Sequence, residues 1–299
     1  MPEWDPELVV DAALARKLIT SQFPELAGAP LEPLAVGWDN TVFAVGGRWA
    51  FRFPRRSIAV AGVEREIALL PRLGDALDVP ISVPSFVGQP TDAFRWPFFG
   101  APLLPGAEAT PAFDVTARGR LAPRLGSVLR QLHAVPPMPE LPHDPMGRAD
   151  MARRVPFSEQ RIAELEAAGL PAPFAALREV VDAARHLPPS QRRRLVHGDL
   201  HLRHVLVDAS QPDPLSGIID WGDICAGEPA IDLAIGWMLF DPPERARFTD
   251  AYGPMDHDQV TTARLVAFFL AATLALYGAT EGEPLLRDES LAALERVVA

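Results

Sequence analysis

The segment His197-Gly198-Asp199-Leu200-His201-Leu202-Arg203-His204-Val205-Leu206-Val207, with Gly217-Ile218-Ile219-Asp220-Trp221-Gly222-Asp223 after it, concentrates the chemically competent side chains of the chain. Asp199 precedes one apolar run, Val205–Val207, and Asp220 follows another, Gly217–Ile219. The residues between, Ser210 to Ser216, are rich in Pro, Asp and Ser, so the two runs are predicted to form a β-hairpin. Such a hairpin delivers two carboxylates to one end of a short rigid element. Paired carboxylates suit phosphoryl transfer, where one takes the proton of an attacking hydroxyl and the other holds Mg²⁺ on nucleotide phosphates.

Around this segment the hydrophobic pattern predicts two kinds of structure. Residues 6–28 carry apolar positions at helical spacing and predict an opening helix. Leu34–Val36, Thr41–Val45 and Trp49–Phe53 read as strands, with Gly37–Asn40 as a turn and Gly46-Gly47 as a tight hairpin turn. A helix over 58–73, carrying Glu64 and Glu66, and strands over 83–87 and 96–104 complete the first part. Pro102 and Pro105-Gly106 mark the boundary. Beyond it helices are predicted over 115–134, 158–167, 172–186, 228–240, 244–252, 258–277 and 285–298, with the hairpin interrupting them. The 32 prolines are expected mostly between elements.

At 299 residues, 48% hydrophobic and 22% charged, the chain has the composition of a soluble globular protein with one large domain or two lobes. A net charge of −11 and a pI near 5.1 argue against a nucleic-acid partner and leave room for a cationic small substrate. The single cysteine, Cys225, forms no internal disulfide and fits a reducing compartment. The first residues show no signal peptide, and the most apolar stretch, Leu265 to Leu276, is too short to span a bilayer. A cytoplasmic location with no membrane partner is the expectation.

The motifs His197-Gly198-Asp199-Leu200-His201, Ile219-Asp220-Trp221-Gly222-Asp223 and Pro229-Ala230-Ile231-Asp232-Leu233-Ala234 resemble the aminoglycoside phosphotransferase family, antibiotic and small-molecule kinases with a protein-kinase-like fold. Gly37-Trp38-Asp39-Asn40-Thr41 and Phe51-Arg52-Phe53-Pro54-Arg55 add weaker support, and the resemblance covers nearly the whole chain. It implies an α+β, bilobal kinase-like fold, with a nucleotide-binding β-sheet lobe over 1–101, a mainly helical lobe over 102–299, and the site in the cleft between them. Asp199 then resembles the catalytic base, and Asp220 the metal-binding aspartate at the start of the kinase Asp-Phe-Gly position. His197 and Asp232 are expected to hold the loop backbone without taking part in chemistry.

The sequence departs from the family pattern at two positions. His204 stands where an asparagine usually provides a second Mg²⁺ ligand, as in the macrolide-kinase branch. Imidazole is a poorer partner for Mg²⁺ than an amide oxygen, so His204 either coordinates more weakly or only lines the phosphate site. Arg52 stands where the family has the phosphate-binding lysine, with Glu66 as its expected partner and Glu64 as the competing choice. The resemblance further implies that Gly37, Asn40 and Thr41 cover the phosphates, and that Phe99, Ala101 and Leu103 lie in a hinge that holds the purine. His133, Trp237, Met238 and Phe240 read as core. Glu228, Asp241, Asp250, Asp256 and Asp258 fall where such kinases build the acceptor pocket, though most are expected to be solvated surface charges.

The implied activity moves the γ-phosphate of ATP or GTP, with Mg²⁺, to a hydroxyl of a small molecule such as an aminoglycoside-type antibiotic. A macrolide or a metabolite alcohol are the alternative acceptors, and a nucleotide-binding pseudokinase is the non-enzyme alternative. A monomer or weak dimer is expected.

Overall fold

The computed structural model of the chain describes residues 6–37, 39–109 and 115–299. It divides into two compact units. The N-terminal unit contains the described residues up to Ala76, Pro80–Leu104 and the distant segment Asp220–Asp223; the C-terminal unit contains Leu77–Val79, the described residues of Pro105–Ile219, and Ile224–Ala299. The division falls after Leu104 instead of residue 101. The last strand of the N-terminal sheet pairs Pro102 with Trp49, and the Leu103 N–H continues the ladder onto the Arg48 carbonyl at 2.8 Å.

In the N-terminal unit, α1 (Ala12–Gln22) is shorter than the predicted opening helix. The Asp11 carboxylate caps it by accepting the Leu14 N–H at 2.8 Å, and Pro24 turns the chain into a single 3₁₀ turn. Strands β1 (Leu31–Val36), β2 (Asn40–Val45) and β3 (Trp49–Pro54) follow, then α2 (Ser57–Leu73), β4 (Phe86–Gly88) and β5 (Phe98–Pro102). They form an antiparallel sheet in the order β1-β2-β3-β5-β4. Alternation along β2 and β3 turns Phe43, Val45, Phe51 and Phe53 into a core with Leu18, Ile19, Phe94 and Phe98. Phe53 and Phe98 stack at 4.7 Å between ring centroids. The other face carries Arg52 and receives α2, whose Val63 packs on Phe99 and Ala101.

The C-terminal unit begins its regular structure with β6 (Ala107–Glu108) and α3 (Val115–Ala134), followed by α4 (Met151–Ala167) and α5 (Phe174–Ala184). Then come β7 (Arg194–Val196), β8 (Val205–Val207), β9 (Leu215–Ile218) and β10 (Cys225–Gly227). Helices α6 (Ala230–Leu233), α7 (Ile235–Leu239), α8 (Pro242–Tyr252), α9 (His257–Thr280) and α10 (Pro284–Val298) complete it. The predicted hairpin is present as β8 and β9, with β6 added to its edge. The β7–β10 pair was not anticipated, because three-residue strands show no period.

Three further differences concern helices. Helix α4 starts at Met151, seven residues before the predicted start, because Asp150 caps it and the helix continues through Pro156. The span predicted as one helix over 228–240 is two short helices, α6 and α7. Helix α9 is 24 residues long, and by length and composition alone it could cross a bilayer; 61% of its most apolar window is buried. Burial against α4–α7 and α10, and not shortness, is what makes it a core helix.

Candidate active site

Arg52 organises the N-terminal unit. Its Nη1 donates to Glu66 Oε1 at 2.7 Å, and its Nη2 pairs with Asp220 Oδ2 at 2.6 Å. Glu66 is the partner because it lies with Val63 and Leu70 on the buried face of α2, whereas Glu64 is exposed. Glu66 Oε1 also accepts the Trp221 N–H at 3.0 Å, and the Arg65 guanidinium donates to the Gly222 carbonyl at 2.9 and 2.5 Å. Two consecutive residues of α2 thus grip the backbone after Asp220. The approach favours glycine at 62, since a Cβ there would lie a tight 3.3 Å from both Cα and O of Gly222. Asp220 itself has φ of 64°, a left-handed conformation that a non-glycine residue adopts at a cost of roughly 1–3 kcal/mol and that clusters at functional sites.

The electrostatics follow from this crowding. Burial pushes the Glu66 carboxyl up to about 7, against the attraction of Arg52 and with the repulsion of Asp220. Burial would lower the Arg52 pKa, but Asp220 and Glu66 outweigh it and hold the guanidinium above its ordinary value. Arg52 is therefore a fixed cation between two acids.

Other residues expected to hold a nucleotide are placed less simply. The Gly37 N–H donates to the Asn40 carbonyl at 2.9 Å, and the Gly37 carbonyl accepts from Arg55 at 2.6 Å, so both groups are engaged within the turn. Trp38 lies outside the described residues. Thr41 is buried in β2, and the buried Asn40 Oδ1 has no hydrogen-bond partner among the described residues. In the expected hinge, Phe99 and Ala101 are buried in the β3–β5 ladder, Pro102 has no N–H, and the Leu103 N–H is committed to Arg48.

In the C-terminal unit, β7 runs directly into His197-Gly198-Asp199. Asp232, fully buried on α6, accepts the His197 N–H at 2.7 Å, the Gly198 N–H at 3.0 Å and the ring of His133 at 3.1 Å. Burial alone would raise its pKa; the hydrogen bond with His133 and the Gly198 N–H outweigh it and keep it below the usual carboxylate value. The His197 ring joins the Asp199 N–H, at 3.2 Å, to the Ile219 carbonyl, at 3.0 Å. With Nδ1 accepting, Nε2 carries the proton, and burial holds the ring neutral by lowering its pKa. Both residues fix the loop, and the expected core residues Trp237, Met238 and Phe240 are buried.

Asp199 is met by a residue that the motifs gave no sign of. Arg148 Nη2 lies 2.9 Å from Asp199 Oδ1. It comes from a turn in which the Asp144 carboxylate accepts the N–H groups of Arg148 and Ala149, both at 2.9 Å. That turn is tied to β10 through Asp144 N–H to the Ala226 carbonyl and Ala226 N–H to the Pro142 carbonyl. Because β10 pairs with β7, one small sheet positions both the arginine and the aspartate. His201 and His204 stack at 3.8 Å, and His204 Nδ1 lies 2.7 Å from the Asp199 carbonyl. Asp199, His201 and His204 offer ligand atoms within 4.8 Å of one another. Sequence reasoning missed Arg148 and Arg65 because each acts across a large sequence separation and neither sits in a motif.

A five-stranded antiparallel N-terminal sheet with an Arg52–Glu66–Asp220 cluster, and a helical unit with a pinned His-Gly-Asp loop, define a kinase-like fold. The chain matches the profile of the phosphotransferase enzyme family over residues 30–268 and belongs to that family. Its fold is similar to the GDP complex of wild-type aminoglycoside 2'-phosphotransferase-IIIa, with a TM-score of 0.70, 23% identity, and 97% and 99% of the two chains covered. It is also similar to macrolide 2'-phosphotransferase MphH from Brachybacterium faecium, with a TM-score of 0.58, 23% identity, and 95% and 97% covered. Among curated proteins, uncharacterized protein YcbJ of Bacillus subtilis (strain 168) is 36% identical over 58 residues. That match spans only 19% of this chain and 18% of the relative's length.

Proposed function

We propose that the protein transfers the γ-phosphate of ATP or GTP to a hydroxyl group of a small molecule. The observation that carries this reading is the Arg52 guanidinium shared between Glu66 and Asp220, a cation beside a left-handed aspartate in a kinase-like N-terminal unit. Arg52 would bind phosphate oxygens through its planar fork, and Glu66 orients that fork. The carboxylate of Asp220 is a hard oxygen donor, 39% exposed at its side chain, and suits Mg²⁺; His204 offers an imidazole nitrogen, a weaker donor for that ion. When bound, the metal would neutralise charge on the transferring group.

Asp199 acts on the acceptor. Its carboxylate takes the hydroxyl proton as the acceptor oxygen bonds to the γ-phosphorus, the bond from that phosphorus to the bridging oxygen breaks, and nucleoside diphosphate leaves. His197 and Asp232 keep the loop in place during the exchange. GDP and ADP complexes among the structural relatives support a nucleotide donor without choosing between the purines. Those relatives include complexes with kanamycin, gentamicin and streptomycin as well as a macrolide 2'-phosphotransferase, so both antibiotic classes belong in the first assays. We place the protein in the cytoplasm as a monomer or weak dimer, consistent with its acidic charge and its buried apolar helix α9.

The test is Asp199→Asn. Transfer to any acceptor should fall by roughly 10²–10⁴-fold while Mg²⁺-nucleotide affinity changes little, as measured by phosphate transfer and by calorimetry. Wild-type turnover in the variant would overturn the reading. Tight nucleotide binding by wild type with no Asp199-dependent turnover would favour the pseudokinase alternative.

A further inference from the structure

Three of the five carboxylates expected near the acceptor, Glu228, Asp241 and Asp256, are engaged in contacts within the C-terminal unit. Glu228 is buried, with bonds from Ser190, Gln259 and the Ala230 N–H. Asp241 pairs with Arg296 at 3.3 Å, and Asp256 caps α9 and pairs with Arg192. The side chains that meet the Asp199 carboxylate, His201 Nε2 among them at 3.8 Å, are basic. Arg148 is paired with it, and Arg154 lies one turn into α4 from the same loop.

Arg154 is 94% buried, at 6% relative exposure, yet makes no ion pair among the described residues. Its Nη2 reaches the Gly147 carbonyl at a long 3.4 Å, the guanidinium lies 4.2 Å above the Phe269 ring, and Nε has no hydrogen-bond partner among the described residues. Buried polar atoms are almost always satisfied, so a buried guanidinium nitrogen without a protein acceptor is a candidate contact for a ligand oxygen. A second orphan, the fully buried Ser158 hydroxyl, sits four residues along α4 on the same face. The neighbouring acids do not relieve Arg154. Both oxygens of Asp144 accept backbone N–H groups, and Asp150 caps the helix through the Ala152 N–H. Burial, then the like charges of Arg148 and Arg153, pull the Arg154 pKa down to about 10, against support from Asp144 and Asp199. Arg148, Arg154 and Asp199 thus share one electrostatic neighbourhood.

We propose that the acceptor alcohol also bears an oxyanion, a carboxylate or a phosphate, which Arg148 and Arg154 bind next to Asp199. The inference rests on the phosphotransferase reading and names its substrate class. A bound oxyanion satisfies Arg154 and competes for Arg148, and so releases the Asp199 carboxylate from its ion pair. The base then becomes available when an acceptor with the anionic group arrives. A polyamine sugar would meet two guanidinium groups at the same place.

The experiment measures transfer from Mg²⁺-ATP and Mg²⁺-GTP to glycerate, glycerol phosphate, glycerol and kanamycin, with wild type, Arg154→Lys and Arg154→Met. Glycerate or glycerol phosphate should exceed glycerol and kanamycin in kcat/KM by at least about tenfold, the size of one lost charge-assisted contact. The better of the two distinguishes carboxylate from phosphate. Arg154→Met should raise the acceptor KM about tenfold or more with a smaller change in kcat, and Arg154→Lys should recover part of it. Preference for kanamycin or glycerol, or an unchanged KM in Arg154→Met, overturns the inference and leaves the kinase reading standing. That reading falls separately, if Asp199→Asn retains wild-type transfer. Should Arg154→Met not fold, calorimetry of wild type and Arg148→Gln with malonate and inorganic phosphate decides. Binding that weakens in the variant supports the inference, and absence of binding to wild type overturns it.

Discussion

At the residue scale, the N-terminal unit depends on one buried acid whose charge is costly. Glu66 is 1% exposed and shares Arg52 with Asp220, so its ionisation is opposed by burial and by a second carboxylate. Its pKa in the folded protein, about 7, exceeds the ordinary glutamate value of 4.5. The folded state therefore holds this proton more tightly than the unfolded chain does. The associated stability is complete below about pH 4.5 and is lost as pH rises through about 7. Glu66→Gln removes that titration while keeping a group able to accept from Arg52. We expect the melting temperature of wild type, relative to Glu66→Gln, to decline between pH 5 and 7.5 without nucleotide. A difference that stays constant with pH would contradict this account. Asp232 has the opposite sign, and its contribution is lost only as pH falls below the usual aspartate range.

At the element scale, the strands β7 and β10 and the helix α6 around the His197–Asp199 loop are only three or four residues long, and single side chains hold them. The loop after β7 has no regular hydrogen bonding of its own at His197 and Gly198; both N–H groups end on Asp232. Asp232→Ala would leave two buried N–H groups unsatisfied and His133 without its acid partner. A loss of about 3 kcal/mol or more is expected, from roughly 1–3 kcal/mol per stranded group. For a unit of this size that lowers the melting temperature by about 6–12 °C, measurable by calorimetry. A shift under about 2 °C would mean that the loop is held by other contacts. Helix α2 acts in the same way on the segment after Asp220, through Glu66, Arg65 and the close approach at Gly62.

At the scale of the whole molecule, the chain leaves the C-terminal unit after Ile219, contributes Asp220–Asp223 to the N-terminal unit, and returns at Ile224. A ligand of Arg52 and Asp220 should thus order two stretches far apart in sequence. Mg²⁺-nucleotide is expected to slow amide exchange together in β2, β3, α2 and residues 220–223. At a hundredfold excess over Kd it should stabilise the protein by about 2.7 kcal/mol. Protection confined to α3–α5 would be incompatible with a nucleotide site built on Arg52. The acidic surface charge of −11 does not contradict an oxyanion acceptor, because the arginines that matter are local and partly buried.

The sequence alone determined what is local or periodic. The β2–β3 and β8–β9 hairpins and helix α2 could be read, since alternation and turn residues act over a few residues; the motifs singled out Asp199 and Asp220 as site candidates, and the resemblance named Glu66 ahead of Glu64 as the partner of Arg52. It also allowed His197 and Asp232 to be read as supports of the loop. Element ends were harder where a cap outweighed a proline, as at Asp150 and Pro156, and where three-residue strands carried no period. The tertiary structure alone decided that Arg148 reaches across 51 positions to Asp199, and that Arg154 is buried with an orphaned nitrogen. It also decided that residues 220–223 belong to the N-terminal unit. Those outcomes depend on long-range pairing and on desolvation, which a one-dimensional pattern of residue types does not encode.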